Sequence, residues 1–268
     1  MKTNGSVAIV TGASGGIGVP TVRALVAAGV HLVLAAPASE APVLERVTAE
    51  AIAGGVRAIA VPTDVRKRED VDRLVRATLD EFQTVDVLCN VAGLGSSPSL
   101  LDETDARIED VVSVNLLGCA RMMHAVLPHM KAQRRGAIVN IGSVAGEAGV
   151  LGIYSASKFG LRGLNDSVRR EVRSYGIGVT LIEPGFVKTP LNAAMGDGLP
   201  SPDIVANAIV AAIERPRRRV IVPWAYTPAV FVANTFPWFI DLVFGDARIQ
   251  ERMNRDARAE RAAAESAT

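Results

Sequence analysis

The sequence predicts a doubly wound α/β fold, a Rossmann-type seven-stranded parallel sheet with helices on both faces. Three observations predict it. Short β-branched apolar runs recur along the chain, longer stretches with helical spacing separate them, and a glycine-rich turn links the first run to the first helix. Strands covered on both faces read as continuous apolar runs rather than as alternating ones. Their alternation with helices implies a parallel sheet joined by crossover connections.

The apolar runs fall at residues 7–10, 31–35, 58–61, 85–89, 137–141, 179–182 and 220–222. Helical spacing covers 21–28, 43–53, 70–82, 106–130, 158–175 and 202–213. With no internal repeat and no long polar linker, residues 1–245 read as one domain, and 246–268 as a charged, solvated helical tail. Residues 220–244 depart from the pattern, being strongly apolar and rich in Trp and Phe. A membrane span needs about 20 uninterrupted apolar residues, whereas Pro223, Pro228 and Pro237 cut this stretch and Asn234 and Asp241 fall inside it.

Composition removes several function classes. The 29 basic and 28 acidic residues leave a net charge of +1, so no global field attracts nucleic acid or an acidic surface. An aromatic content of 4% argues against a face built on base stacking. Cys89 and Cys119 cannot make a disulfide framework and read as buried thiols. Residues 1–10 lack the apolar stretch and cleavage site of a secretory signal, so a cytoplasmic location is expected.

The turn Thr11-Gly12-Ala13-Ser14-Gly15-Gly16-Ile17-Gly18 follows the first strand and opens the first helix. In that setting glycines let the backbone approach a pyrophosphate, and the helix N-terminus offers free N–H groups and partial positive charge. A structural glycine turn is the plainer reading of such a motif alone; its placement favours nucleotide binding.

Further motifs follow in order. They are Asp64-Val65 after the third strand, Asn90-Val91-Ala92-Gly93 after the fourth, and Asn115 in the long helical stretch. Ser143 comes after the fifth strand, then Tyr154-Ser155-Ala156-Ser157-Lys158, then Pro184-Gly185 with Val187 and Thr189 after the sixth. From Thr11 to Thr189 this set resembles the short-chain dehydrogenase/reductase family, in its compact single-domain branch.

The resemblance implies a nicotinamide-dependent oxidoreductase with Asn115, Ser143, Tyr154 and Lys158 as its catalytic set. It also implies cofactor contacts from Gly12, Ser14, Gly15, Gly16, Ile17, Gly18, Ala36, Asp64, Val65, Asn90, Ala92, Gly93, Tyr154, Lys158, Pro184, Gly185, Val187 and Thr189. A mobile substrate lid near 186–201 and assembly as a homodimer or homotetramer through the 106–130 and 158–175 helices are implied as well.

The chain departs from the family pattern in three places. Val91 replaces an Asn, and the Ser143–Tyr154 interval is about two residues shorter than usual, which bears on pocket width. The end of the second strand reads Ala36-Pro37, without the acid that NAD users place there for the ribose hydroxyls. The missing acid removes repulsion toward a 2′-phosphate, to which Ser39 could donate. This favours NADP(H) over NAD(H).

The residue types suit the chemistry. A carbonyl oxygen that gains negative charge must be hydrogen-bonded and protonated. A phenol ionises near pH 10, and a neighbouring ammonium favours its phenolate. Tyr154 and Lys158, one helical turn apart, share a face.

His31, His124 and His129 lack a spacing that would gather them round a metal, and Ser143 has no evident Ser-His-Asp chain. Arg215-Pro216-Arg217-Arg218-Arg219 reads as a solvated basic turn. Leu191, Ala193, Ala194, Met195 and Leu199 suggest an apolar substrate pocket, so a bulky hydrophobic ketone or secondary alcohol is the expected substrate. Residues 220–244 read as packing against the core or a second subunit, with peripheral lipid contact as the lesser alternative. The rival readings are a sugar-like or acyl-carrier substrate on the same site, and a nucleotide-binding scaffold without turnover.

Overall fold

The computed structural model describes residues 1–190, 192, 198–251 and 254–255. Its seven strands are β1 (Val7–Thr11), β2 (His31–Ala35), β3 (Ala58–Ala60), β4 (Val87–Asn90), β5 (Gly136–Ile141), β6 (Ile177–Pro184) and β7 (Arg219–Val222). All pair in parallel in the order β3-β2-β1-β4-β5-β6-β7. Every expected run is a strand. The order reverses beside β1, so the turns leaving β1 and β4 part over a crevice, the place where ligands of open α/β sheets bind.

Helices α1 (Gly18–Ala27), α2 (Ala41–Ala53) and α8 (Asp203–Glu214) cover one face. Helix α3 (Arg68–Phe82), α5 (Cys119–Gln133) and α7 (Gly152–Val172) cover the other. Leu32 and Leu34 point to the first layer and Val33 to the second, following the period-two alternation of a strand.

The 106–130 stretch is helical, but α4 (Asp105–Val112) passes into α5 through a π-helical turn at Ser113–Gly118. Such turns are frequent at functional sites. Helix α7 begins six residues before the expected 158, so Tyr154 lies inside it. A four-residue helix, α6 (Ala145–Ala148), was not foreseen.

The C-terminal stretch folds as α9 (Thr227–Thr235) and α10 (Pro237–Phe244), bent by 104° at residue 236. Val230 and Ala233 pack inward, while Trp224, Phe231, Trp238 and Leu242 stay exposed. The segment thus serves the core with one face and leaves the other open. The basic run is also more than a solvated turn: Arg218 pairs with Asp166 on α7, and Arg219 reaches the buried Glu147 and Glu183. In the lid, Leu191 and 193–197 (with Ala193, Ala194 and Met195) lie outside the described residues.

Candidate active site

The glycine turn is built so tightly that side chains are excluded. Gly12 has φ +65°, and a Cβ there would lie 2.7 Å from the Ala92 backbone. A Cβ on Gly18 would lie 1.9 Å from the Gly12 carbonyl oxygen, and one on Gly16 would strike Pro190 and Thr189. The turn closes through the Gly15 amide, which donates to the Gly12 carbonyl at 3.1 Å, and Ile17 caps α1. Bare backbone at a helix N-terminus, beside the β1–β4 crevice, fits a dinucleotide pyrophosphate.

The other cofactor candidates sit at the same sheet edge with different surroundings. Ala36 is buried just past β2. Asp64 is held by Arg66 at 2.8 Å, and that guanidinium keeps its carboxyl below the usual range. Val65 packs against Gly118. The Asn90 amide is turned inward, donating to Asn140 at 2.8 Å, and Asn140 donates to Asn165 at 3.0 Å. The Ala92 amide donates to Thr11 Oγ1 at 3.3 Å, tying the β1 and β4 turns together.

A cavity of about 460 Å³ opens at this edge. Ile17, Ser143, Tyr154, Pro184, Gly185, Val187 and Thr189 line it, as do Ser96, Val230 and Ala233. Behind it, Lys158 is buried, with Nζ 5.7 Å from the Tyr154 ring centroid and donating to the Ile141 carbonyl at 2.8 Å.

Asn115 is fully buried in the π-helical turn. Its Oδ1 accepts from the Leu94 amide at 2.8 Å, and its Nδ2 donates to the Leu94 carbonyl at 2.9 Å. Nδ2 also reaches Ser157 Oγ at 3.1 Å, which donates to the Tyr154 carbonyl at 2.7 Å. A Cβ on Gly93 would sit 3.4 Å from Asn115 Oδ1 and 3.5 Å from Lys158 Nζ, so this glycine leaves both polar groups facing one gap. All four candidate catalytic residues meet at the carboxyl end of the sheet.

Two features went unread in the sequence. Ser96 accepts from the Tyr154 amide at 3.2 Å, fixing the start of α7. Glu40 hydrogen-bonds Ser14 in the glycine turn. Twenty-six residues separate this pair, and only the β1–β2 register brings them together. Two of the three histidines are otherwise engaged: His31 Nδ1 accepts from the Arg57 amide at 3.1 Å, and His124 Nδ1 lies 2.9 Å from Arg68.

A glycine cradle at the β1 turn, with a tyrosine, a lysine, a serine and an asparagine at the neighbouring strand ends, defines a dinucleotide-dependent oxidoreductase. Residues 6–199 match the family model for short chain dehydrogenases. The chain belongs to the short-chain dehydrogenase/reductase family, enzymes acting on CH–OH groups.

It is 41% identical over 187 residues to a 3-oxoacyl-[acyl-carrier-protein] reductase of Synechocystis, covering 69% of this chain and 75% of that protein. It is 35% identical over 227 residues to the ketoacyl reductase HetN of Nostoc, covering 81% and 78%. Among solved structures, a short-chain dehydrogenase/reductase from Burkholderia phymatum in complex with NAD superposes with a TM-score of 0.79. The identity is 27%, and 87% of this chain and 94% of that one are covered.

Proposed function

We propose that this oxidoreductase interconverts a hydrophobic ketone or aldehyde and its alcohol, with Tyr154 as general acid and base. The observation that carries the reading is the convergence of Ser143 and Tyr154 on a largely apolar cavity at the glycine turn, with buried Lys158 behind. When bound, the nicotinamide supplies or accepts the hydride.

In the reductive direction Ser143 hydrogen-bonds the carbonyl oxygen, and Tyr154 passes its phenolic proton to that oxygen as negative charge develops. The Lys158 ammonium stabilises the charge left on the tyrosine oxygen. Asn115 braces α7 through Ser157 and faces the same gap as Lys158. Alcohol oxidation reverses each step.

The NADP(H) expectation rested on the lack of an acid at residues 36–37. Glu40 supplies one beside Ser14, so the proposed cofactor is NAD(H). An acyl-carrier-bound ketone is the second reading, favoured by the names of the two bacterial relatives. A cytoplasmic location and a homo-oligomer through the 106–130 and 158–175 helical stretches belong to the same proposal. The burial of the Cys89 and Cys119 thiols accords with the first, and exposed Leu117 and Phe159 support the second.

Tyr154→Phe tests the mechanism. It should lower kcat by about 100-fold or more while the dissociation constant of the dinucleotide, read by fluorescence, stays within about twofold. Unchanged turnover would remove Tyr154 from its role.

A further inference from the structure

Glu147 on α6 and Glu183 on β6 are buried beneath the active site with side chains 0% and 2% exposed. Both carboxyls face the same guanidinium, that of Arg219. Arg162 of α7 lies 2.8 Å from Glu147, and Arg219 of β7 lies 3.0 Å from Glu147 and 3.1 Å from Glu183. The fifth member is Asn234 of α9, whose Nδ2 donates to Glu147 Oε2 at 2.7 Å.

This cluster joins the catalytic segments to the C-terminal helices. Glu147 follows Gly146, where a Cβ would lie 3.0 Å from the Lys158 backbone, and Ser143 precedes α6 by two residues. On the other side, α9 presents Ala229, Val230 and Ala233 to the cavity. Tyr226, just before α9, lies where a Cβ on Gly185 would be, 2.3 Å from its ring. Glu147 is locked in place by Arg162 and Arg219, so the exposed Asn234 amide that donates to the same oxygen ties α9 to a fixed point of the catalytic segments.

We infer that Glu147 and Asn234 are positioning residues that clamp α9 against the catalytic segments, making α9 the wall that selects carbonyl compounds with a bulky apolar substituent. The inference rests on the carbonyl reading above and deepens it. Asn234 touches neither the catalytic set nor the glycine turn; it acts through the wall.

The test uses full-length protein with NADH, 2-acetylnaphthalene as the bulky ketone and butan-2-one as the small one. Asn234→Ala should raise KM for 2-acetylnaphthalene about fivefold, with kcat, KM for butan-2-one and the NADH dissociation constant within about twofold. Ala233→Trp, which narrows the cavity without touching the clamp, should weaken 2-acetylnaphthalene at least about tenfold more than butan-2-one.

Equal changes for both ketones, or none, would overturn the proposal. Calorimetric binding of 2-acetylnaphthalene to the NAD⁺ complex separates the two readings. Binding that Asn234→Ala weakens, without turnover of either ketone, upholds the wall and removes the carbonyl reading. Failure of the wild type to bind 2-acetylnaphthalene removes the wall, whatever else is reduced.

Discussion

Past the end of β2 the chain carries Ala36, Pro37, Ala38 and Ser39, none of them charged, and then Glu40. A carboxylate beside Ser14 in the glycine turn suits a ribose with free 2′- and 3′-hydroxyls, and it repels a 2′-phosphate by like charge. Glu40→Gln keeps the shape and removes the charge. It should shift the ratio of NADH to NADPH dissociation constants about tenfold toward NADPH, measured by fluorescence titration. An unmoved ratio would return the choice of cofactor to residues 36–39. Glu40 was illegible beforehand because the signal is a contact across 26 residues, whereas Tyr154 and Lys158 announce themselves by local spacing. Glu147, Glu183 and Asn234 are equally silent in sequence, separated by 36 and 51 positions and joined only by the fold.

The strands were readable because parallel strands buried on both faces leave unbroken apolar runs, as in residues 7–10 and 31–35. Helix edges were less so. Residues 152–157 at the start of α7 are mostly small or polar, so apolar periodicity sets in only further on. The π-helical turn that buries Asn115 leaves no mark in a stretch whose apolar spacing continues on both sides. Prolines at 223, 228 and 237 spoke against a long span, and the chain answers with two short helices, Pro228 and Pro237 each falling in a first turn where no intrahelical donor is lost. The glycines of α1 and α7 show how element context decides a substitution. Gly18→Ala would press a methyl into the Gly12 carbonyl and should weaken dinucleotide binding at least about tenfold. Gly163→Ala, on the exposed face of α7 with nothing within 4 Å, should instead raise stability by about 1 kcal/mol in urea unfolding. If both behave alike, packing at the turn does not govern binding.

Across the whole molecule, β6 is the seam between the catalytic half of the sheet and its C-terminal edge, and Glu183 is the charge buried in that seam. Burial, together with the neighbouring Glu147 carboxyl, pushes Glu183 up to about 8, from 4.5 for an ordinary glutamate; Arg219 and Arg162 oppose the rise. The folded chain therefore binds a proton that the unfolded chain releases above 4.5. Stability is complete below that pH, declines as pH rises toward 8, and falls no further once the folded group has also ionised. Glu183→Gln mimics the protonated form at every pH and lacks this decline. The variant's melting temperature relative to wild type should therefore increase steadily from pH 5 to pH 8 and level off above, by differential scanning fluorimetry. A constant offset across that range would mean that Glu183 is ionised in the folded protein throughout. The seam would then be held by full ion pairs, Glu183 with Arg219 and Glu147 with Arg162, rather than by a neutral Glu183 carboxyl beside them.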